Sequence, residues 1–134
     1  MESKALVSQG TKRRILVVDD ELDITLTLQA GLEDGGFDVD AFNDPEMALS
    51  SYKPGLYDLV LIDIMMPKMD GFALYERIKT VDPGGKVCFL TAGEMYSEEI
   101  REEEHSTLNK DLFLQKPISN DDLIREINKK INST

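Results

Sequence analysis

Short apolar runs alternate with longer segments of helical period along most of this chain, a pattern that predicts a parallel sheet covered by helices. Ile15-Leu16-Val17-Val18 suits a strand buried on both faces, and it stops abruptly at Asp19-Asp20-Glu21. From Phe37 to Phe42 the chain instead alternates Phe37, Val39 and Ala41 with Asp38 and Asp40, the period of a half-exposed edge strand. Leu59-Val60-Leu61-Ile62 ends in Asp63, Val87-Cys88-Phe89-Leu90 ends in Thr91, and Leu112-Phe113-Leu114 runs into Gln115-Lys116-Pro117. Five such units, with no internal repeat, predict a doubly wound α/β domain with a five-stranded parallel sheet and five helices.

Each helical segment carries local signals. Ile24, Leu28 and Leu32 recur at helical spacing, and Gly35-Gly36 then supplies residues able to leave the helix at positive φ. Leu22 and Leu26 lie roughly 100° or more from that stripe; they either flank a wide core face or form an open apolar surface. A second helix begins at Pro45 after Asp44 and stops before Pro54-Gly55. The third runs from Gly71 to about Thr80, with Leu74 and Ile78 on one stripe, and is ended by Pro83-Gly84-Gly85. Between Glu94 and Asp111 only Met95, Tyr96, Ile100 and Leu108 are sizeable and apolar, which predicts a short, exposed or mobile fourth helix. The fifth combines a Ser119 or Asn120 cap, Asp121 and Asp122 in the first turn, an Ile124, Ile127 and Ile131 face, and Lys129-Lys130 near its end.

Charge narrows the classes of partner. With 26 Asp and Glu against 15 Lys and Arg, the net charge of −11 over 134 residues repels phosphate backbones and anionic lipid. Direct binding to nucleic acid or membrane is therefore not expected, and any gene regulation would fall to another domain or partner. No apolar run approaches the roughly 20 residues that span a bilayer. Met1 to Arg14 lacks the apolar core of a secretory signal, and a single cysteine forms no internal disulfide, so a cytoplasmic location is expected. Residues 1–11 read as a polar N-terminal extension and 12–134 as one domain. Cys88 reads as inert packing, His105 as a solvated surface residue, and the glutamates at 98–99 and 102–104 as a solvated face.

Functional groups in such a sheet gather at the carboxyl ends of the strands. That rule brings Asp19 and Asp20, Asp63, Thr91 and Lys116 to one cleft. Three crowded carboxylates call for a cation, and all-oxygen ligation with no Cys/His cluster favours Mg²⁺ over Zn²⁺. A hydroxyl and an ammonium opposite would suit an incoming phosphoryl group.

The strings Ile15-Leu16-Val17-Val18-Asp19-Asp20-Glu21, Asp63-Ile64-Met65-Met66-Pro67-Lys68-Met69-Asp70-Gly71, Phe89-Leu90-Thr91-Ala92 and Phe113-Leu114-Gln115-Lys116-Pro117-Ile118 resemble those of two-component response-regulator receiver domains. Their order and spacing match over about Lys12 to Ile131. The resemblance implies a flavodoxin-like fold with strand order 2-1-3-4-5, the order of the family's chemotaxis member. It implies a signalling switch in which Asp63 takes a phosphoryl group from the phosphohistidine of a sensor histidine kinase or phosphotransfer protein. Asp20, Asp63 and the backbone carbonyl of Met65 would bind Mg²⁺ directly and Asp19 mainly through water. Thr91 and Lys116 would contact the phosphoryl oxygens, a cis Lys116-Pro117 peptide would aim the lysine inward, and Phe113 would stand at the aromatic switch position. The face made by the fourth helix, the fifth strand and the fifth helix would change and signal to a downstream effector domain or protein. Helix one would meet the kinase.

The sequence departs from the family where Ser106-Thr107-Leu108-Asn109-Lys110 replaces a pair of small residues. At the positions two beyond Asp63 and Thr91, Met65 and Gly93 cannot hold an attacking water by a side-chain hydrogen bond, so a long-lived phosphoryl group is expected. Among other functions, an aspartate-nucleophile phosphatase would want a general acid where Met65 stands, and an FMN site would be repelled by Asp19-Asp20-Glu21. A receiver-like interaction module that works without phosphorylation is the principal alternative.

Overall fold

The computed structural model describes residues 12–92, 112–116 and 118–133. The predicted fourth helix, the N-terminal extension, Gly93, His105 and the Lys116-Pro117 peptide lie outside the described residues. The elements in chain order are β1 (Arg14–Val18), α1 (Leu22–Asp34), β2 (Asp38–Phe42), α2 (Pro45–Ser51), β3 (Leu59–Asp63), α3 (Gly71–Val81), β4 (Val87–Ala92), β5 (Phe113–Lys116) and α4 (Asn120–Asn132). Helix α4 is the last of the predicted helices. All four strand pairings are parallel and the order is β2-β1-β3-β4-β5, as the resemblance implied.

The unbroken apolar runs are explained by two cores, one on each face of the sheet. Because side chains alternate along a strand, Ile15, Val17, Leu59 and Leu61 pack with Leu32 of α1 and Leu123, Ile127 and Ile131 of α4. Their neighbours Leu16, Val18, Val60 and Ile62 pack with Ala48 of α2 and Phe72, Leu74 and Ile78 of α3. Burial of each of the Val, Leu, Ile and Phe side chains stabilises the fold by about 1.5–3 kcal/mol. Strand β2 lies at an edge, with only Val39 of its five residues buried. Asp38 and Asp40 on that strand pair with Arg14, and charge on an edge discourages further strand pairing.

Local caps agree with the sequence reading. Asp44 accepts from the Glu46 amide at the start of α2, and Ser119, rather than Asn120, caps α4 by accepting from the Asp122 amide. Gly36 leaves α1 at φ 99°, whereas Gly35 keeps a negative φ. The predicted α1 stripe is corrected in one respect. Leu32 is fully buried, Ile24 and Leu28 are only partly so, and Thr25 is buried instead, its hydroxyl bonded to the Leu22 carbonyl and to Asn43 after β2. Leu22 and Leu26 are 59% and 55% exposed, which settles the alternative in favour of an open apolar surface.

Candidate functional site at the carboxyl end of the sheet

Strand register assembles the site. Val18 pairs with Ile62, so Asp19, the next residue, lies beside Asp63. Asp63 pairs with Leu90, which sets Thr91 one step further along β4, and Ala92 pairs with Lys116 on the far side. The strands extend slightly beyond the predicted apolar runs. Asp63, Thr91 and Lys116 are strand residues rather than the first loop residues, which ties their backbones into the ladder.

One carboxylate oxygen from each of Asp19, Asp20 and Asp63 lies within 4.8 Å of the others. Asp19 is 1% exposed and Asp63 8%, whereas Asp20 is open to solvent. Lys116 Nζ donates to Asp19 Oδ2 and to Asp63 Oδ1, each at 3.4 Å. Asp19 Oδ1 accepts from the Glu21 amide at 2.9 Å, so its two oxygens have separate partners. Burial, and then the neighbouring Asp19 charge, push the Asp63 carboxyl up to about 6, although Lys116 pulls the other way. Burial alone would depress the Lys116 ammonium, but the charges of Asp63 and Asp19 outweigh it and hold its pKa above the ordinary value. A single lysine faces three carboxylates, and the charge of Asp19 adds to the effect of burial in raising Asp63.

Two neighbours hold this constellation from behind. Gly71, at the start of α3, donates its amide to the Ile64 carbonyl at 2.8 Å. A Cβ there would lie 2.6 Å from the Asp63 carbonyl oxygen and 2.9 Å from Ile64 Cα, so only glycine lets α3 approach the end of β3 so closely. On the other side, Asn43 follows β2 and donates to the Asp19 carbonyl and to Thr25 Oγ1, both at 2.9 Å. Thr91 is buried, and Phe113 is packed inward with ring centroids 5.3 Å from Phe89 and 6.1 Å from Phe72.

Residues 15–128 match the response regulator receiver domain family. The chain belongs to that family of two-component signalling domains. The receiver domain is 36% identical over 114 residues to the transcriptional regulatory protein DltR of Streptococcus agalactiae, covering 85% of this chain and 50% of that protein. It is 33% identical over 121 residues to the alkaline phosphatase synthesis transcriptional regulatory protein PhoP of Bacillus subtilis, covering 90% and 48%. The chain thus spans about half the length of these curated relatives. In structure it resembles the non-phosphorylated HemR receiver domain of Leptospira biflexa, with TM-score 0.76, 29% identity and coverage of 92% and 97%. A CheY-like receiver domain protein of Methanospirillum hungatei gives TM-score 0.76 at 27% identity, covering 91% and 95%.

The relatives are named as transcriptional regulators, so the expectation of no direct nucleic-acid contact finds no support in them and rests on this chain's charge alone. No helix among the described residues is long and apolar enough to cross a membrane. Of the predicted site residues, the receiver domain brings Asp19, Asp20, Asp63 and Lys116 together, with Thr91 buried at the neighbouring strand end. The Met65 side chain is 53% exposed. Phe113 lies in the core rather than at the cleft. Asn43 and Thr25 were not singled out in the sequence, and the signal for them is indirect. Phe42 pairs with Val18, which sets Asn43 level with Asp19. A cavity of about 360 Å³ at the opposite end of the sheet takes no part in this chemistry, and its Lys79 and Lys86 donate to backbone carbonyls.

Proposed function

We propose that the domain is a phosphorylation-controlled switch in which Asp63 accepts a phosphoryl group from the phosphohistidine of a sensor histidine kinase or phosphotransfer protein in the cytoplasm. The observation that carries this reading is the position of Asp63, buried at the end of β3 with Asp19 beside it and Lys116 at 3.4 Å. An Asp63 carboxylate oxygen forms the new P–O bond as the P–N bond to the kinase imidazole breaks. The electron pair of that bond returns to the imidazole, and the product is an acyl phosphate.

The donor set fits Mg²⁺. It is all oxygen, it carries three carboxylates against the single Lys116 ammonium, and one of them, Asp63, is raised in pKa first by burial and then by the Asp19 charge. Asp20, Asp63 and the Met65 carbonyl would hold the ion, with Asp19 behind them. When bound, Mg²⁺ would supply positive charge to the crowded carboxylates and the phosphoryl oxygens. Lys116 is already placed to pair with an oxygen at Asp63, and its ammonium stays charged because both carboxylates favour that form. The Thr91 hydroxyl, one residue beyond the Asp63 level on β4, would accept the role of hydrogen-bond donor to the same group.

Readout would pass through Thr91 and Phe113 to the face that includes the fourth helix and β5, and on to an effector domain or protein. The Phe113 ring starts from the inside, stacked on Phe89, so a shift of Thr91 would act on an aromatic cluster that is already closed. Met65 leaves an attacking water without a side-chain partner, which favours a long-lived phosphoryl group. Incubation with acetyl phosphate or phosphoramidate and Mg²⁺ should add one phosphoryl mass to the wild type and none to Asp63→Asn. Equal labelling of the mutant, or full labelling with EDTA, would overturn the assignment, and no labelling at all would favour the phosphorylation-independent interaction module.

A further inference from the structure

We propose that Asn43 is a positioning residue for the acidic pair, holding the Asp19–Asp20 peptide in place by bridging the Asp19 carbonyl to Thr25 in the first turns of α1. This rests on the reading of the carboxylate cluster as the Mg²⁺ and phosphoryl site. The side-chain amide nitrogen of Asn43 has two protons, and each has one acceptor at 2.9 Å, the Asp19 carbonyl oxygen and Thr25 Oγ1. Thr25 uses its own proton on the Leu22 carbonyl at 3.0 Å, which leaves its oxygen free to accept from Asn43. The direction of every proton in this chain is therefore determined.

The consequence for the site follows from peptide geometry. The Asp19 carbonyl and the Asp20 amide share one rigid plane. Fixing that oxygen fixes the plane, and with it the orientation from which the Asp20 Cα carries its carboxylate. Asp19 is already held at its amide by the Phe42 carbonyl at 3.1 Å and at its carboxylate by the Glu21 amide. Its carbonyl is the remaining handle, and Asn43 takes it. The need is greatest at Asp20, which is solvent-exposed and follows the last residue of β1 by two, beyond the ladder that holds Asp63. Thr25 and Asp19 are both buried, so removal of Asn43 withdraws a donor from two enclosed acceptors.

The test compares the wild type with Asn43→Leu, similar in size but without the amide, and with Thr25→Val, which keeps the shape of the threonine and loses its oxygen. Two readouts are taken on the full chain by NMR. One is exchange of the Glu21 amide in metal-free protein, and the other is Mg²⁺ affinity from the shifts of Asp19, Asp20 and Asp63 amides. Asn43→Leu should speed Glu21 exchange and weaken Mg²⁺ about tenfold, as expected when a residue that orients a metal ligand is lost. Thr25→Val should do the same to a smaller degree, and Asn43→Gln, which keeps the amide, should recover part of the affinity. Unchanged Glu21 exchange and unchanged Mg²⁺ affinity in Asn43→Leu would overturn the proposal, as would a lower melting temperature with both readouts intact. Faster exchange in a protein whose wild type binds no Mg²⁺ would uphold the positioning and overturn the metal reading of the site.

Discussion

Lys116 and Asp63 meet at 3.4 Å between Nζ and Oδ1, yet the Asp63 carboxyl is pushed up to about 6 rather than held below its ordinary 3.8. Burial and the adjacent Asp19 outweigh the lysine, which also serves Asp19. The ionised form of Asp63 is thus less stable in the folded chain than in the unfolded one.

The sign of the resulting pH dependence is opposite to that of a salt-bridged aspartate. The cost is absent below pH 3.8, grows as pH rises toward about 6, and is complete above it. Asp63→Asn should therefore stabilise the metal-free protein by about 1–3 kcal/mol at pH 7.5 and by little at pH 3.5. Urea unfolding in EDTA at the two pH values checks this. A mutant less stable than the wild type at pH 7.5 would show that Lys116 wins the balance. Added Mg²⁺ should then stabilise the wild type and leave Asp63→Asn nearly unchanged.

Gly71→Ala should destabilise the domain by about 1–3 kcal/mol, because its Cβ would press on the backbone of Asp63 and Ile64, which cannot swing away. It should also lower acetyl-phosphate labelling under conditions where the variant remains folded. Gly84→Ala is the control. A Cβ there would come no closer than 4.0 Å to the Asp82 carboxylate, and its stability should stay within about 0.5 kcal/mol of the wild type. Thermal unfolding and mass spectrometry of both variants decide the matter.

Leu22 and Leu26 stand exposed on α1 beside the site. Leu26→Ser should slow phosphoryl transfer from the cognate kinase while leaving acetyl-phosphate labelling intact and stability within about 0.5 kcal/mol. Leu32→Ala on the buried side of the same helix should instead cost about 2–5 kcal/mol. Equal transfer rates for wild type and Leu26→Ser would remove α1 from the docking surface.

Binding of beryllofluoride with Mg²⁺ should change amide exchange in residues 93–108 and around Phe113. The basis is the packing of Phe113 between Phe89 and Phe72, which couples β5 to α3 through β4. Phe113→Ala should cost about 3–5 kcal/mol and blunt that response. Identical exchange with beryllofluoride shown to be bound would exclude this route of transmission.

Much of the domain is determined locally. Four apolar residues in a row at Ile15–Val18 and Leu59–Ile62 demand cover on both faces, and that requirement selects a parallel sheet between helical layers without any knowledge of neighbours. The acidic ends of those runs, with Thr91 and Lys116 after the later strands, disclosed the chemistry because strand ends converge in such a sheet. Caps such as Asp44 and Ser119 are equally local, since each bonds an amide two or three residues along. Strand order entered by resemblance and was decided by the pairing of β1 with both β2 and β3. What only the tertiary structure decided depends on groups far apart in sequence. Leu22 and Leu26 could not be assigned to core or surface until α1 was rotated onto the sheet, and that rotation buries Thr25 and brings it to Asn43 after β2. The Asp63 shift comes from burial and from Asp19, 44 positions away, so no local window contains it. Asn43 reaches Asp19 across the β1–β2 register, a relationship that exists only once two strands lie side by side.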